Sequence, residues 1–499
     1  MILTALISLF CALAPEDTVS VLDKSAERLS PVLKAAAPQR SAAAGLFGPY
    51  RSYTSAAVRW DGRREGSALL PQEGDGHDEG QVDIRTLVRL DTLSAVTGTV
   101  EYINGLKRNV RWNTSSDFLT VFPYILADSV GGNLRKEQYA FSGGYSSRRG
   151  RFHYGVTGAY RALHEYRNID PRPRNIVSDL SVTATAGLRI LPGYRLDASA
   201  SYRRYSQSQN VEFYNQRGAN TVVFHLTGLG SQYSRFASTS VYTTTRYAGN
   251  GGSVALDFFP ERTEGWRAAL SCDLFDVIHH LPSQNEAPYT ELLTRTGNVR
   301  AGYVARRKTV SWQGGLHASV QGRQGIEDVI DNGSSGHMMT LIRFSMYQSL
   351  EASAGVSGAV EWKDWAVEGD VSYRHFSASC QYPARSLGLD GMDLSASAAR
   401  TERKGVWLLR GVLQAHYVQA FGGNLSLPRE TLLPALDGFY GDLFDRWSRS
   451  SAGAGVSLRA ERALAGSPVS VFGDLSGRGL WLFNGKPAIY YSLTIGFSF

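Results

Sequence analysis

The sequence predicts an all-β protein, a transmembrane antiparallel β-barrel of about 18 strands, with 16 to 20 compatible with the pattern. Three observations lead there. Apolar side chains recur with period two along most of the 499 residues, short connections alternate with long polar ones, and the chain ends on an aromatic strand. A strand sends successive side chains to opposite faces. A barrel with lipid outside and water inside needs that alternation in every strand.

Composition agrees. Gly (52) and Tyr (25) are abundant, Cys is scarce (3), and mean hydropathy is slightly polar at −0.21. After residue 15 no stretch approaches the roughly 20 apolar residues of a membrane helix. The net charge of +7 and pI near 9.2 come from Lys and Arg scattered among Asp and Glu. Without a basic block they predict a solvated lumen and loops, and no nucleic-acid partner.

The elements follow in chain order. Met1–Ala14 is apolar and ends in Ala12-Leu13-Ala14, a small-x-small cleavage pattern, although no Lys or Arg precedes it and Pro15 follows. It is read as a signal peptide. Its removal leaves Cys272 and Cys380, too few for a disulfide framework. Residues 15–50 carry Val19, Leu22, Leu29, Val32 and Leu33 at loosely helical spacing, then an Ala/Ser/Pro stretch. They are read as a periplasmic leader, partly helical.

Residues 51–499 are read as the barrel. Leu180, Val182, Ala184, Ala186, Leu188 and Ile190 alternate with Asp179, Ser181, Thr183, Thr185, Gly187 and Arg189. Trp266–Leu274, Val310–Val320 and Trp407–Tyr417 repeat the pattern. Short links at 91–94, 148–151, 191–193, 260–265, 306–309, 363–364, 402–405 and 463–467 are predicted periplasmic turns. Long polar segments at 104–136, 163–178, 207–250, 275–296, 321–337, 381–390, 419–449 and 479–487 are predicted extracellular loops. Counting back from Phe499, the strand near Gln81–Leu90 runs inward from the cell surface, so Arg51–Trp60 must supply one earlier outward strand. Segment 207–250 has room for another hairpin. Trp60, Trp266, Trp312, Trp362, Trp365 and Trp407 are expected at strand ends, as interfacial girdles require. A soluble β-sandwich would alternate too, but has no use for such girdles.

In the last strand Ile489, Tyr491, Leu493, Ile495, Phe497 and Phe499 alternate with Tyr490, Ser492, Thr494, Gly496 and Ser498. This resembles the C-terminal signal strand of bacterial outer-membrane barrels. It implies Phe497 and Phe499 as an insertion signal for the barrel-assembly machinery, with outer-membrane lipid as the surroundings. The segments EYINGLKRNVRWNTSSDF (101–118), FPYILADSVGG (122–132) and YRALHEYRNIDPRPRNIVSD (160–179) resemble an uncharacterised family of outer-membrane β-barrel proteins of Bacteroidota. That resemblance implies a cell-envelope barrel and no catalytic residues.

Charges in phase with Ser, Thr and Gly are expected to line the lumen: Arg85, Arg89, Glu101, Arg161, Arg189, Asp197, Asp257, Glu368, Asp370, Arg374, Arg410, Arg459 and Glu461. On the lipid face an Arg at mid-bilayer would cost about 2–4 kcal/mol. His164, Glu165, Arg167, Asp170, Arg172, Arg174 and Asp179 crowd one predicted loop, either as an ion-pair network or as an anion or sugar site. Loop 104–136 has an apolar middle, Phe118–Leu126, that must be covered, by the lumen or by neighbouring loops. No Gly-x-Ser-x-Gly, no His-Glu-x-x-His and no metal cluster is found, and His279-His280 would point apart on a strand. The expected function is a non-enzymatic channel or porin-like pathway for small solutes, without cofactor. The alternative is an envelope anchor whose loops bind a surface partner.

Overall fold

The structure, a computed structural model, describes residues 20–215, 221–332, 338–427, 434–483 and 485–499. The predicted signal peptide lies outside the described residues. The strands are β1 Tyr53–Glu65, β2 Gly76–Arg89, β3 Ser94–Val110, β4 Ile125–Ala127, β5 Gly132–Arg149, β6 Phe152–Tyr166, β7 Arg172–Leu191, β8 Tyr194–Glu212, β9 Phe224–Thr227, β10 Ser231–Gln232 and β11 Thr244–Pro260. They continue as β12 Gly265–Leu281, β13 Ala287–Arg306, β14 Val310–Asn332, β15 Met338–Trp362, β16 Trp365–Cys380, β17 Arg385–Lys404, β18 Trp407–Ser426, β19 Ser451–Ala463, β20 Ser470–Leu482 and β21 Ala488–Ser498.

All but β4, β9 and β10 belong to one 18-stranded antiparallel sheet in which each strand pairs with the next. β21 pairs with β1, Leu493 opposite Trp60 and Ile495 opposite Val58, so the sheet closes and has no free edge. The segment with room for an extra hairpin holds one, but it does not span the barrel: β9 and β10 join β4 in a separate small sheet.

Every turn linking the second strand of one pair to the next is short, and the first described residue, Ser20, and Phe499 lie at that turn end. At Gly193 and Gly405 these turns need positive φ (79° and 57°), which side chains disfavour. The outer face shows two aromatic rings. Near the turns, Trp266, Trp312, Trp362, Trp365 and Trp407 are 38–62 % exposed. Tyr160, Tyr202 and Tyr373 each stand eight residues above the start of their strands, at Phe152, Tyr194 and Trp365. Trp60 joins this upper ring, so it is a mid-strand residue and not the strand-end residue expected. Eight residues at the tilt of a barrel strand span about 20 Å of height, close to the apolar band of a membrane barrel.

The strands continue well past the upper ring, and this corrects the loop assignment. Segment 163–178 shrinks to 167–171, 275–296 to 282–286, 381–390 to 381–384 and 479–487 to 483–487, while β14 runs to Asn332. Above the membrane the outer face no longer needs apolar side chains. The hydropathy alternation therefore fades while the hydrogen-bond ladder goes on.

The interior is filled from both ends. Residues 20–50, with helices Val21–Leu29, Pro31–Ala35 and Ala44–Phe47, occupy the turn-end mouth. Ser20 and Ser30 cap the first two helices, accepting from the amides of Leu22 and Leu33. Their apolar residues pack on the wall: Leu22 on Leu408, Val32 on Val304 and Ala359, Leu46 on Leu87 and Ala95. At the loop end, residues 111–131 and 221–243 and the helix Pro434–Trp447 meet in one apolar core.

Candidate functional site in the barrel lumen

The wall holds the N-terminal segment mainly through buried carboxylates. Asp257 accepts the amides of Gln39 (3.3 Å) and Arg40 (3.0 Å), Asp197 accepts the Ser41 hydroxyl, and Glu461 accepts the Ser25 hydroxyl at 2.7 Å. Arg267 donates to the Ala36 carbonyl, and Arg89 to the Gly48 carbonyl at 2.7 Å. Arg403 pairs with Asp23. These anchors come from six strands around the barrel. Asp197 and Glu461 are wholly buried, so donors of the segment replace the water a luminal carboxylate would otherwise bind. Beside them His153 bonds Asp197, and Phe47 meets the His153 ring edge-on at 4.5 Å. Ser41 bonds Asp197 and not His153, so this is no hydrolytic triad. Burial also pushes the Tyr50 hydroxyl up to about 12.

At the loop end residues 111–131 cross the lumen. Asp117 accepts from both terminal nitrogens of Arg161 (3.0 and 2.5 Å) and from the Tyr205 hydroxyl at 3.1 Å. Ser116 donates to Glu165 at 2.6 Å and Ser115 to Gln209 at 2.8 Å. Four strands on from Tyr205 and Gln209, Arg323 of β14 donates to the carbonyls of Leu119 (2.8 Å) and Thr120 (2.9 Å). β4 then pairs with β9, Ile125 opposite Leu226. Arg385 donates to the Leu229 carbonyl at 2.8 Å and pairs with Asp437 at 3.0 Å, tying in the helix Pro434–Trp447. His225 of β9 is buried, its Nδ1 2.8 Å from the Tyr289 hydroxyl and its Nε2 2.7 Å from the Tyr242 carbonyl. The neutral ring thus donates from Nε2 and accepts at Nδ1. Burial depresses its pKa to about 4.

Between these plugs, cavities of about 740 and 340 Å3 lie along the β14–β20 wall and a third of about 360 Å3 along β11–β16. His416, Gly453 and Arg478 line both the first and the second. Gln313, Ser357 and Asp370 line both the second and the third, which ends against Ala35, Ala37, Pro38 and Gln39.

The charges expected in the lumen lie on the luminal face. Arg85 meets Asp83, Glu101 meets Gln81 and Gln138, and Arg161 meets Asp117 and Asp179. Glu368 accepts from Ser397, Asp370 faces His317, Arg374 faces Asp393, Arg410 donates to Thr401, and Arg459 bridges Glu461 and Asp474. Arg189 sits at the turn-end rim with Glu261. Arg89, Asp197 and Asp257 grip the N-terminal segment. Phe497 is on the lipid face, 46 % exposed, and the Phe499 amide donates to the Thr54 carbonyl at 2.9 Å.

The expected loop cluster is not one site. Because β6 runs to Tyr166 and β7 begins at Arg172, alternation splits it. Glu165 and Arg167 turn inward and are buried, meeting Lys107 (3.1 Å) and Asp128 (2.6 Å). His164 and Arg174 face outward, 3.3 Å apart. Asp170 and Arg172 stay at the rim. Burial pushes the Asp170 carboxyl up, but the amides of Tyr214 and Asn215 and the Arg172 guanidinium outweigh this and hold it below the usual carboxylate range. Asp179 instead joins the luminal network of Arg161 and Arg203. His279 and His280 part as expected: His279 is buried against Tyr289, and His280 donates from Nδ1 to the Glu286 carbonyl at 3.0 Å. No group of three or more metal-ligating side chains occurs among the described residues. Sequence reasoning missed His225 and Arg323. An isolated His in an apolar loop run, Val222–Leu229, was the only local signal for the first.

Residues 42–499 match a family described as a family of unknown function (DUF6850). The chain belongs to this family. The match takes in every barrel strand and the helix Ala44–Phe47 of the N-terminal segment. No curated protein matches the chain. Among solved structures, it is similar to the outer membrane transporter YddB from Escherichia coli, at 8% identity and TM-score 0.41, over 89% of this chain and 81% of that one. It is similar to BauA, the ferric preacinetobactin receptor of Acinetobacter baumannii, at 8% identity and TM-score 0.42, over 90% and 80%. It is also similar to OpdK of Pseudomonas aeruginosa, solved with vanillate, at 9% identity and TM-score 0.34, over 90% and 98%. Likeness at this level says nothing of what this lumen carries.

Proposed function

We propose that this protein is a bacterial outer-membrane barrel, of Bacteroidota as the sequence resemblance implies, that passes small solutes without chemistry and rests closed. The turn end faces the periplasm, the loop end faces the outside, and Phe497 and Phe499 serve as the insertion signal. The reading rests on one observation: a chain of connected luminal cavities, lined by charges, stopped at one end by residues 35–39 and roofed at the other by Leu119 and Phe122. An anchor would have no need of such a passage. Residues 111–131 and 221–243, moreover, bury Phe118, Val121, Ile125, Leu226 and Leu229 in one core instead of offering them to a surface partner.

Planar bilayers test it. Two constrictions in series add as resistances, so removing one leaves the other limiting. The full chain should give small currents, and deletion of 20–50 or of 117–131 alone should give modest increases. The double deletion should give large stepwise conductance. A double deletion that folds, by its heat-modifiable band on a gel, yet stays electrically silent would overturn the proposal.

A further inference from the structure

The cavity of about 740 Å3 beneath the loop-end plug has a two-sided lining. One side is apolar and aromatic, with Phe376, Tyr440 and Trp447. The other is cationic. Arg323, Arg374, Arg446, Arg449 and Arg478 line it, with two carboxylates, Glu351 and Asp390. Of the two, Asp390 bonds Tyr373 and His375. Among the described residues no salt bridge joins Arg323 or Arg478 to a carboxylate. Arg478 lies over the Tyr490 ring at 4.4 Å, and Arg374 reaches Asp393 only at 3.6 Å. Arg374 and Arg478 are exposed in the barrel interior, so an anion that enters meets guanidinium donors without having to break a buried ion pair. Their planar donors suit a carboxylate or phosphate. Below this chamber Glu368 and Asp370 reverse the sign of the wall, which confines a bound anion to the chamber.

We propose that the chamber binds an amphipathic organic anion, its carboxylate or phosphate held by Arg374 and Arg478 and its apolar body laid on Phe376 and Trp447. The volume falls within the range typical of small-molecule sites. The inference rests on the reading of this lumen as a solute path and names the class of solute.

The test is calorimetric titration of the purified full chain in detergent micelles with 2-naphthoate. A saturable single site is expected. Its affinity should fall about tenfold or more in the Arg374→Gln/Arg478→Gln double variant, as loss of charge-assisted hydrogen bonds dictates. The neutral analogue 2-naphthylmethanol and inorganic phosphate should each bind about tenfold or more weakly, lacking one half of the match. Phe376→Ser should weaken naphthoate and leave phosphate unchanged. The same titration on the chain lacking residues 20–50 opens the chamber from below, so that resting closure does not hide the site. No binding in either form, or equal binding by the folded double variant, overturns the assignment. Conducting double-deletion channels with no naphthoate site would sink the anion assignment alone. Silent channels with an arginine-dependent site would sink the transport reading and leave the site standing.

Discussion

Acid should loosen the loop-end plug through His225. In the closed plug this ring is buried and neutral, fixed by the Tyr289 hydroxyl and the Tyr242 carbonyl, with the Phe236 ring at 5.6 Å and the His279 ring at 6.3 Å. No carboxylate hydrogen-bonds to it among the described residues. Its pKa is depressed to about 4 when the plug is closed, and an exposed histidine titrates near about 6.5. The open form therefore takes the proton first. The stabilisation from neutral His225 is whole above about pH 6.5 and is lost as the pH falls toward 4. The difference amounts to about 3 kcal/mol. It predicts about twentyfold more frequent opening at pH 5 than at pH 7, and about 120-fold at pH 4. Hydrogen exchange at β4 and β9, corrected for the intrinsic pH dependence of amide exchange, measures this in the detergent-solubilised chain. Carboxylates of the plug titrate in the same range, so the comparison that decides is with His225→Gln, which keeps a donor and an acceptor but binds no proton. If the variant shows the same acid-dependent loss of protection as the native chain, His225 is not the sensor and the reasoning fails.

Other outcomes follow from the same geometry. Arg167→Ala should leave Asp128, wholly buried and paired to it at 2.6 Å, without its counter-charge. The expected local cost is about 3–5 kcal/mol, seen as proteolysis within 111–131 at lower urea, with Asp128→Asn restoring part of it. Leu493→Arg, on the lipid face opposite Trp60, should destabilise the barrel by about 2–4 kcal/mol in vesicle unfolding titrations, while Ser492→Arg, one residue away on the luminal face, should cost little. Equal costs for the two would reject the assigned parity.

The charged anchors at the turn end and the apolar core at the loop end point to different behaviour. The N-terminal segment is held by separate polar contacts to wall carboxylates and arginines and by small apolar contacts, a grip that changes one partner at a time. The loop-end plug packs side chains from three distant segments into one core, including Phe118, Tyr205, Leu226, Tyr347 and Leu436. A close-packed core resists partial rearrangement, so this plug is expected to open as a unit.

The repeating pattern of the sequence was enough to determine the barrel wall. Ile489 to Phe497 on one face and Tyr490 to Ser498 on the other fix which side meets lipid, because alternation is a property of each strand by itself. The same parity puts Arg85, Glu101, Asp370 and Arg459 in the lumen and forces Arg51–Trp60 to be a strand. Tertiary structure alone decided how the lumen is filled. Arg323 meets Leu119 from 204 residues away, and Asp257 meets Gln39 from 218 residues away. Such contacts cross the barrel and carry no periodic signal along the chain. The charged residues 164–174 show the converse: close in sequence, they are dispersed because a strand continuing above the membrane sends neighbours to opposite faces.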